Sequence, residues 1–436
     1  MAATTSAGGL VGLVQKRLFY GWVIVASTFA INFSTMATGT LNFGLFVLPM
    51  GAALGMSRGQ FGWAQTTRGL SAGLSSFLIG RILDRYGPRV LVVVAATIIG
   101  VCLLGVSRAG AGWHVILLFG IMGVCGLAAP NSLVTSVPVA KWFRRVRGRA
   151  LALASTGLGL GGVAFLPITQ QLIDQVQWRD AWVILAIAFL GVSIPLGALF
   201  LRRQPEDFGL AVDGDPSPDA VPPGSTMTED PGAEAVWTVG ETLRTTTMWK
   251  LMLVFAMAGL GMGAASLHRI PYFVEERGFD PLVVSYAFSA DAAGAAIMAL
   301  ATGWVVDRFP IRWVAVSSYL GFALAVLLMI YALNEAALFA SVIAFGMSVG
   351  IGMVVQTYIF AAYYGRAFLG AIRGIVFPVT LIASGVGAPA AGYMRDVLGS
   401  YDQAWWMLLG VYLATALIMA TVSPPSRAAT NEDGNM

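Results

Sequence analysis

Long apolar runs alternate with short polar stretches along almost the whole chain, and this alternation constrains the fold. A helix needs about 20 predominantly apolar residues to cross a bilayer. Twelve runs approach or exceed that length, and we number them as spans 1 to 12. Spans 1 to 6 are predicted at residues 20–48, 59–82, 90–108, 113–140, 149–173 and 180–201, and spans 7 to 12 at residues 247–273, 281–305, 313–333, 336–362, 373–395 and 403–422.

A polar segment separates the two sets of six spans. Residues 202–237 are rich in Pro, Gly, Asp and Glu and hold few large apolar side chains, so they cannot form a core and are predicted to be a disordered linker. The predicted organisation is an N-terminal tail at 1–19, a six-helix bundle at 20–201, a linker at 202–246, a second bundle at 247–422 and a C-terminal tail at 423–436.

Composition supports a polytopic membrane protein. Hydrophobic residues make up 57% of the chain and charged residues 11%, whereas soluble proteins carry about 25% charged residues. The net charge of +4 is spread over short loops, which argues against a nucleic-acid partner. The two cysteines lie within spans and lack metal-ligand spacing. No nucleotide loop, metal cluster or nucleophile–base set is found, so we expect neither an enzyme nor a cofactor or metal.

Basic residues indicate the orientation. With both termini in the cytoplasm, 19 of the 26 Lys and Arg residues fall in inside loops and six in outside loops, while Arg68 lies within span 2. The six assigned to the outside include Arg269. This bias predicts cytoplasmic termini in a plasma membrane. The first apolar run is expected to be a retained span, since no cleavage site follows a short apolar stretch.

A repeat relates the two halves. The stretch GRILDRYGPR follows span 2 and GWVVDRFPIR follows span 8, at an offset of 223 residues. Parallel six-helix halves of this kind occur in transporters. The shared positions are Gly80 with Gly303, Asp84 with Asp307, and Arg85 with Arg308.

The first of these loops resembles the signature loop of the major facilitator superfamily, and the resemblance covers essentially the whole chain. It implies an all-α membrane protein, with twelve transmembrane helices in two pseudo-symmetric six-helix bundles, that transports by alternating access. The stretches FYGWVIV and HRIPYFVEERGFD resemble the monocarboxylate and oxalate/formate branch. The chain departs from that branch in span 8, where Ala295 and Ala299 replace an Asp and an Arg, and it lacks a Lys in span 11.

The two repeated loops are predicted to act as a cytoplasmic latch. Gly80 allows close helix approach, and the Asp84 carboxylate can pair with a basic side chain or a helix N-terminus on a neighbouring helix. The alternative is a plain loop with positive-inside arginines. The predicted gating residues are Gly80, Asp84, Arg85, Arg89, Gly303, Asp307 and Arg308.

Arg68 and Asp291 are the two ionisable residues predicted well within spans. Each lies twelve residues before the loop glycine of its half, about 18 Å along a helix and hence near the midplane. Arg68 offers a planar fork for a carboxylate, and Asp291 is predicted to carry a proton. The alternatives are a structural ion pair, or an Arg68 bonded to backbone carbonyls. Whether the two side chains touch is left open.

Further polar residues are secondary candidates. His268, near the outer end of span 7, is predicted to relay protons at an outer gate, the alternative being an interface histidine. The resemblance implies that spans 1, 4, 7 and 10 line the cavity. It therefore favours Asn32, Asn131, Gln356 and Tyr358 as substrate contacts, although interhelical hydrogen bonds explain many such residues.

The expected function is proton-coupled transport of small organic anions resembling monocarboxylates, with the anion, the proton and the bilayer as partners and a monomer sufficient. The alternative is a proton-driven exporter of hydrophobic or cationic drugs that uses Asp291 and aromatic side chains. A membrane enzyme or a receptor is disfavoured.

Overall fold

The structure, a computed structural model, describes residues 19–125, 133–143, 146–208, 210, 213, 237–306, 308–365 and 369–425. Within these ranges all regular secondary structure is helical. Asn131, Asp307 and most of the predicted linker lie outside the described residues, as do the side-chain surroundings of Gly80 and Asp84.

The helices follow the predicted spans. In the first half they are Gly21–Thr35, the 3-10 turn Met36–Thr38, Thr40–Leu54, Arg58–Ser107, Gly112–Val124, Leu133–Trp142 and Arg147–Leu199. In the second half they are Val239–Leu243, Thr246–Glu275, Pro281–Val305, Ile311–Ile330, Glu335–Tyr364, Leu369–Leu398 and Asp402–Ala420. Among the described residues, nine candidate spans are long and apolar enough to cross a membrane.

Two long helices each contain a break that separates two spans. Arg58–Ser107 breaks at Gly87, whose φ of 77° and ψ of 170° are not helical, and Pro88 follows. Arg147–Leu199 breaks at Gln177, whose φ is 68°. The first break divides spans 2 and 3, and the second divides spans 5 and 6. A positive φ favours glycine because it has no Cβ, which explains why the chain turns within GRILDRYGPR.

Each half has its own apolar core. One core comprises side chains from Tyr20 to Leu201, joined by Leu267 and Ala388. The other runs from Trp237 to Val422, with Leu45 and Leu166 added from the first half. These four side chains, each packed in the core of the opposite half, lie where the halves meet.

The two halves contain equivalent contacts between helices. Gly123 of span 4 lies against the backbone carbonyl of Arg68, and Gly346 of span 10 lies against that of Asp291. A Cβ at either glycine would clash with backbone atoms. Gly123 and Gly346 differ by 223 residues, as do Arg68 and Asp291, so Arg68 and Asp291 occupy equivalent positions in the two halves.

Two matched hydrogen bonds join the halves. Thr66 of span 2 donates to the Gly385 carbonyl of span 11 at 2.5 Å. Ser289 of span 8 donates to the Val163 carbonyl of span 5 at 2.8 Å. Thr66 and Ser289 also differ by 223 residues, so the repeat extends to the interface between the halves.

The contacts between the halves lie toward one end of the molecule. We call the end that holds Tyr20, Phe200 and Val422 the terminal face, and the opposite end the far face. Span 2 begins at the far face, where Arg58 contacts Asp396 of span 11. Near the terminal face, spans 5 and 8 expose large apolar side chains, namely Leu153, Leu300 and Trp304. The described halves are therefore packed together on the far-face side.

Removing the matched hydroxyls should loosen the far face. We expect the double variant Thr66→Val and Ser289→Ala to raise maleimide labelling of a cysteine placed at the buried Met56, since each lost bond contributes about 1 kcal/mol, or about fivefold. Thr67→Val is the control, because its hydroxyl bonds within the first half to Trp63, Ala64 and Ile116. Unchanged labelling in the double variant would contradict this role.

Candidate functional site

Arg68 lies buried in the first half, about 6% exposed. It stands ten residues into Arg58–Ser107, about 15 Å along the helix. Its Nη1 donates to the Thr38 carbonyl at 2.5 Å, and its guanidinium carbon lies 5.8 Å from the centre of the Phe119 ring. Thr38 ends the 3-10 turn that interrupts span 1. The bond to a backbone carbonyl that the sequence left as an alternative is thus present.

Asp291 is buried in the second half and forms an ion pair. Its Oδ1 lies 3.0 Å from Nη1 of Arg269, and both side chains are at most 5% exposed. The Arg269 guanidinium also lies 3.6 Å from the centre of the Phe345 ring, and its Nε donates to the Ala265 carbonyl. An ion pair, a backbone hydrogen bond and an aromatic ring therefore hold the Arg269 guanidinium within the second half.

The assignment of Arg269 to an outside loop was wrong. The helix Thr246–Glu275 continues past Arg269 through Pro271 to the far face. A buried arginine is tolerated here because Asp291 neutralises its charge and aromatic rings cover it. Arg269 is thus a third ionisable residue within the spans, in addition to Arg68 and Asp291.

Arg68 and Asp291 occupy equivalent positions but do not form an ion pair with each other. Among the described residues, the ion pair of Asp291 is made with Arg269. Two guanidinium groups and one carboxylate therefore occupy the middle of the spans, with a net charge of one positive. The sequence places no other Asp or Glu at that depth.

His268 ties span 7 to span 11. The ring is fully buried, and Nε2 lies 2.8 Å from the Ala388 carbonyl, to which it must donate. Nδ1 then accepts from the Tyr401 hydroxyl at 3.0 Å. Both ring nitrogens are occupied, so in this conformation the imidazole acts as a structural tether.

The far face carries a charged cluster that sequence reasoning missed. The backbone N–H groups of Arg58 and Gly59 donate to the Asp396 carboxylate at 2.9 Å each. The Arg58 side chain pairs with Glu275 at 2.6 Å, and Arg395 pairs with Glu276 at 3.1 Å. Asp396 therefore caps span 2 from the other half. A capping signature at Ser57 and Gln60 marks the helix start, but no sequence signal reveals the partner in span 11.

The remaining candidates are scattered. Asn32 donates its amide to the Ala154 carbonyl, which joins spans 1 and 5. Gln356 is partly buried and Tyr358 is 38% exposed on span 10. Among the loop residues that the structure describes, Arg85, Arg89, Gly303 and Arg308 are exposed. Of these, Arg85 has its guanidinium carbon 5.4 Å from the centre of the Tyr86 ring, and the predicted latch stays a prediction.

The fold and its buried charges define a class of protein. Two equivalent helical halves, joined through spans 2, 5, 8 and 11 and charged at mid-depth, are the architecture of a membrane transporter. The sequence profile of the Major Facilitator Superfamily matches residues 28–285 and 251–435, and the chain belongs to that superfamily. The predicted family and the all-α membrane fold are confirmed, and the relatives are transporters and not enzymes.

Individual relatives and structures agree with this assignment. The chain is 25% identical to monocarboxylate transporter 13 of Bos taurus over 414 residues, which covers 92% of this chain and 89% of the relative. It is also 25% identical to monocarboxylate transporter 11 of Homo sapiens, covering 92% and 82%. The crystal structure of the nucleoside transporter NupG superposes with a TM-score of 0.72 at 12% identity, over 93% of this chain and 99% of that one.

Breaking the buried ion pair should destabilise the protein. Asp291→Asn leaves Arg269 charged in an apolar setting, which typically costs about 3–5 kcal/mol. We expect a clearly lower unfolding temperature in detergent, with part of the loss restored in the double variant Asp291→Asn and Arg269→Met. Asp402→Asn serves as the control, because its contact with Arg277 is 3.8 Å long and more exposed. If Asp291→Asn unfolds at the wild-type temperature, the ion pair does not contribute to the stability of the fold.

Proposed function

We propose that the protein carries small organic anions such as monocarboxylates, coupled to protons, by alternating access. The observation that carries this proposal is the buried Arg68 guanidinium, placed at mid-depth beside the interruption in span 1. The names of the relatives, monocarboxylate transporters 11 and 13, support the substrate class.

Arg68 has the right chemistry for a carboxylate. A guanidinium has five N–H donors in a planar fork, and this fork matches the two oxygens of a carboxylate. The net positive charge at this depth adds a long-range attraction that water screens little. Asn131, Gln356 and Tyr358 are proposed as further contacts, while Asn32 positions span 1.

Asp291 is the proposed proton carrier. Protonation removes its negative charge and releases the Arg269 guanidinium from its only carboxylate among the described residues. The second half then carries one additional net positive charge, which can attract an anion. Binding of the proton thereby favours binding of the anionic substrate. His268, which hydrogen-bonds to Ala388 and Tyr401 near the far face, is the proposed outer-gate residue.

The orientation completes the proposed cycle. With both termini in the cytoplasm of a plasma membrane, the terminal face points inward and the packed far face points outward. The bundles at 20–201 and 247–422, joined by the linker at 202–246, then move relative to each other. The loops with Gly80, Asp84, Arg85 and Arg89, and with Gly303, Asp307 and Arg308, are the proposed inner latch.

Export of cationic drugs is less well supported. Such a cavity needs an exposed negative charge, and the single mid-depth carboxylate, Asp291, is buried against Arg269.

Transport assays test the proposal. Proteoliposomes with the wild-type protein should take up labelled pyruvate, lactate or oxalate faster when a pH gradient drives protons inward. Arg68→Ala should reduce kcat/KM about hundredfold, as expected when a two-pronged charged contact is lost. Asp291→Asn should abolish the response to the gradient.

The controls separate function from folding. Arg108→Ala removes an exposed arginine at the far face and should transport like wild type. Arg68→Lys keeps the charge and should retain partial uptake. Wild-type uptake by Arg68→Ala would sink the proposed site, whereas dye export without anion uptake would favour the exporter.

A further inference from the structure

Span 1 is interrupted at mid-depth. The helix Gly21–Thr35 passes into the 3-10 turn Met36–Thr38. Gly39 is extended, with ψ of 160°, and a new helix begins at Thr40. Residues 39–41 at this interruption are only partly buried.

Two side chains of span 2 hold the two sides of the interruption. Arg68 donates to the Thr38 carbonyl before Gly39. Gln65 accepts at Oε1 from the Thr40 hydroxyl after Gly39, at 3.5 Å. Residues three apart on a helix lie on the same face, about 5–6 Å apart at Cβ. The two side chains therefore point at one place.

The other end of the Gln65 amide has no hydrogen-bond partner in the part of the chain that the structure describes. Its Nε2 is buried and makes no hydrogen bond among the described residues. Buried donors are almost always satisfied in folded proteins, and an exception calls for an explanation. Oε1 faces Thr40, so Nε2 is the end that is left to donate.

We infer that Gln65 is a second donor to the substrate, and that Gln65 Nε2 and the Arg68 guanidinium together form a carboxylate subsite at the interruption of span 1. The ligand class follows from the donors, which are one cation and one neutral N–H; among the described residues, no ion pair joins an acidic side chain to Arg68. The first turn of the helix that starts at Thr40 adds a favourable dipole. This inference rests on the proposed function and adds the residue that orients the carboxylate.

Substitutions at Gln65 test the donor directly, with proteoliposome uptake of labelled pyruvate as the assay. Gln65→Met keeps the side-chain length but removes the N–H, and should raise KM about tenfold with kcat nearly unchanged, as for one hydrogen bond to a charged group. Gln65→Glu places an acceptor beside Arg68 and should lower kcat/KM at least a hundredfold.

Two further variants exclude a merely structural role. Thr40→Val removes the anchor of Oε1 but leaves Nε2, and should raise KM less than threefold. Thr67→Val alters the neighbouring hydroxyl that faces span 4, and should leave KM unchanged. Equal rises in KM for Thr40→Val and Gln65→Met would make Gln65 a structural residue and overturn the inference.

The outcomes also separate this inference from the proposed function. If wild-type protein takes up no carboxylate, the proposed function fails and the subsite with it. If wild type transports pyruvate and Arg68→Ala does not, but Gln65→Met keeps the wild-type KM, the proposed function stands and the inference fails. Calorimetric titration of purified variants with pyruvate should give the same order of affinities.

Discussion

A charge at mid-depth in a membrane must be neutralised or hydrogen-bonded, and the interior of this protein is organised around that requirement. In the second half, Asp291 and Arg269 neutralise each other at 3.0 Å. In the first half, Arg68 reaches a backbone carbonyl, which is accessible because span 1 stops being an α-helix at Met36–Thr38. The helix interruption thus supplies the acceptor that the buried Arg68 needs, and Arg68 satisfies a carbonyl that the interruption leaves without a helical partner.

The repeat preserves backbone geometry while the chemistry diverges. Gly123 and Gly346 hold equivalent backbone positions, but the side chains placed there are a cation in one half and an anion in the other. In the second half, the Asp291 carboxylate pairs with the Arg269 side chain of span 7. In the first half, the Arg68 guanidinium donates to the Thr38 carbonyl of span 1. Because only one half is internally neutral, the two halves contribute differently to a bound solute.

The sequence predicts the scaffold better than the site. Apolar runs and the 223-residue offset locate the spans and lead to Arg68 and Asp291. They do not report the direction in which a side chain points, so Asn32 turned out to bond Ala154. Arg269 was missed because a charge near the end of an apolar run resembles a loop residue. Gln65 escaped notice because only contact with Thr40, 25 residues away, reveals its unused donor.

The positions of the contacts between the halves suit a rocking motion. At the far face, Arg58, Glu275 and Asp396 lie close to water, so their separation exchanges each contact for hydration and changes the free energy little. The bonds from Thr66 and Ser289 begin eight residues into their helices, about 12 Å from the far face, where no bulk water replaces a lost partner. In the proposed cycle, the halves therefore separate more easily at the far face than around Thr66 and Ser289, and these two bonds mark the natural pivot.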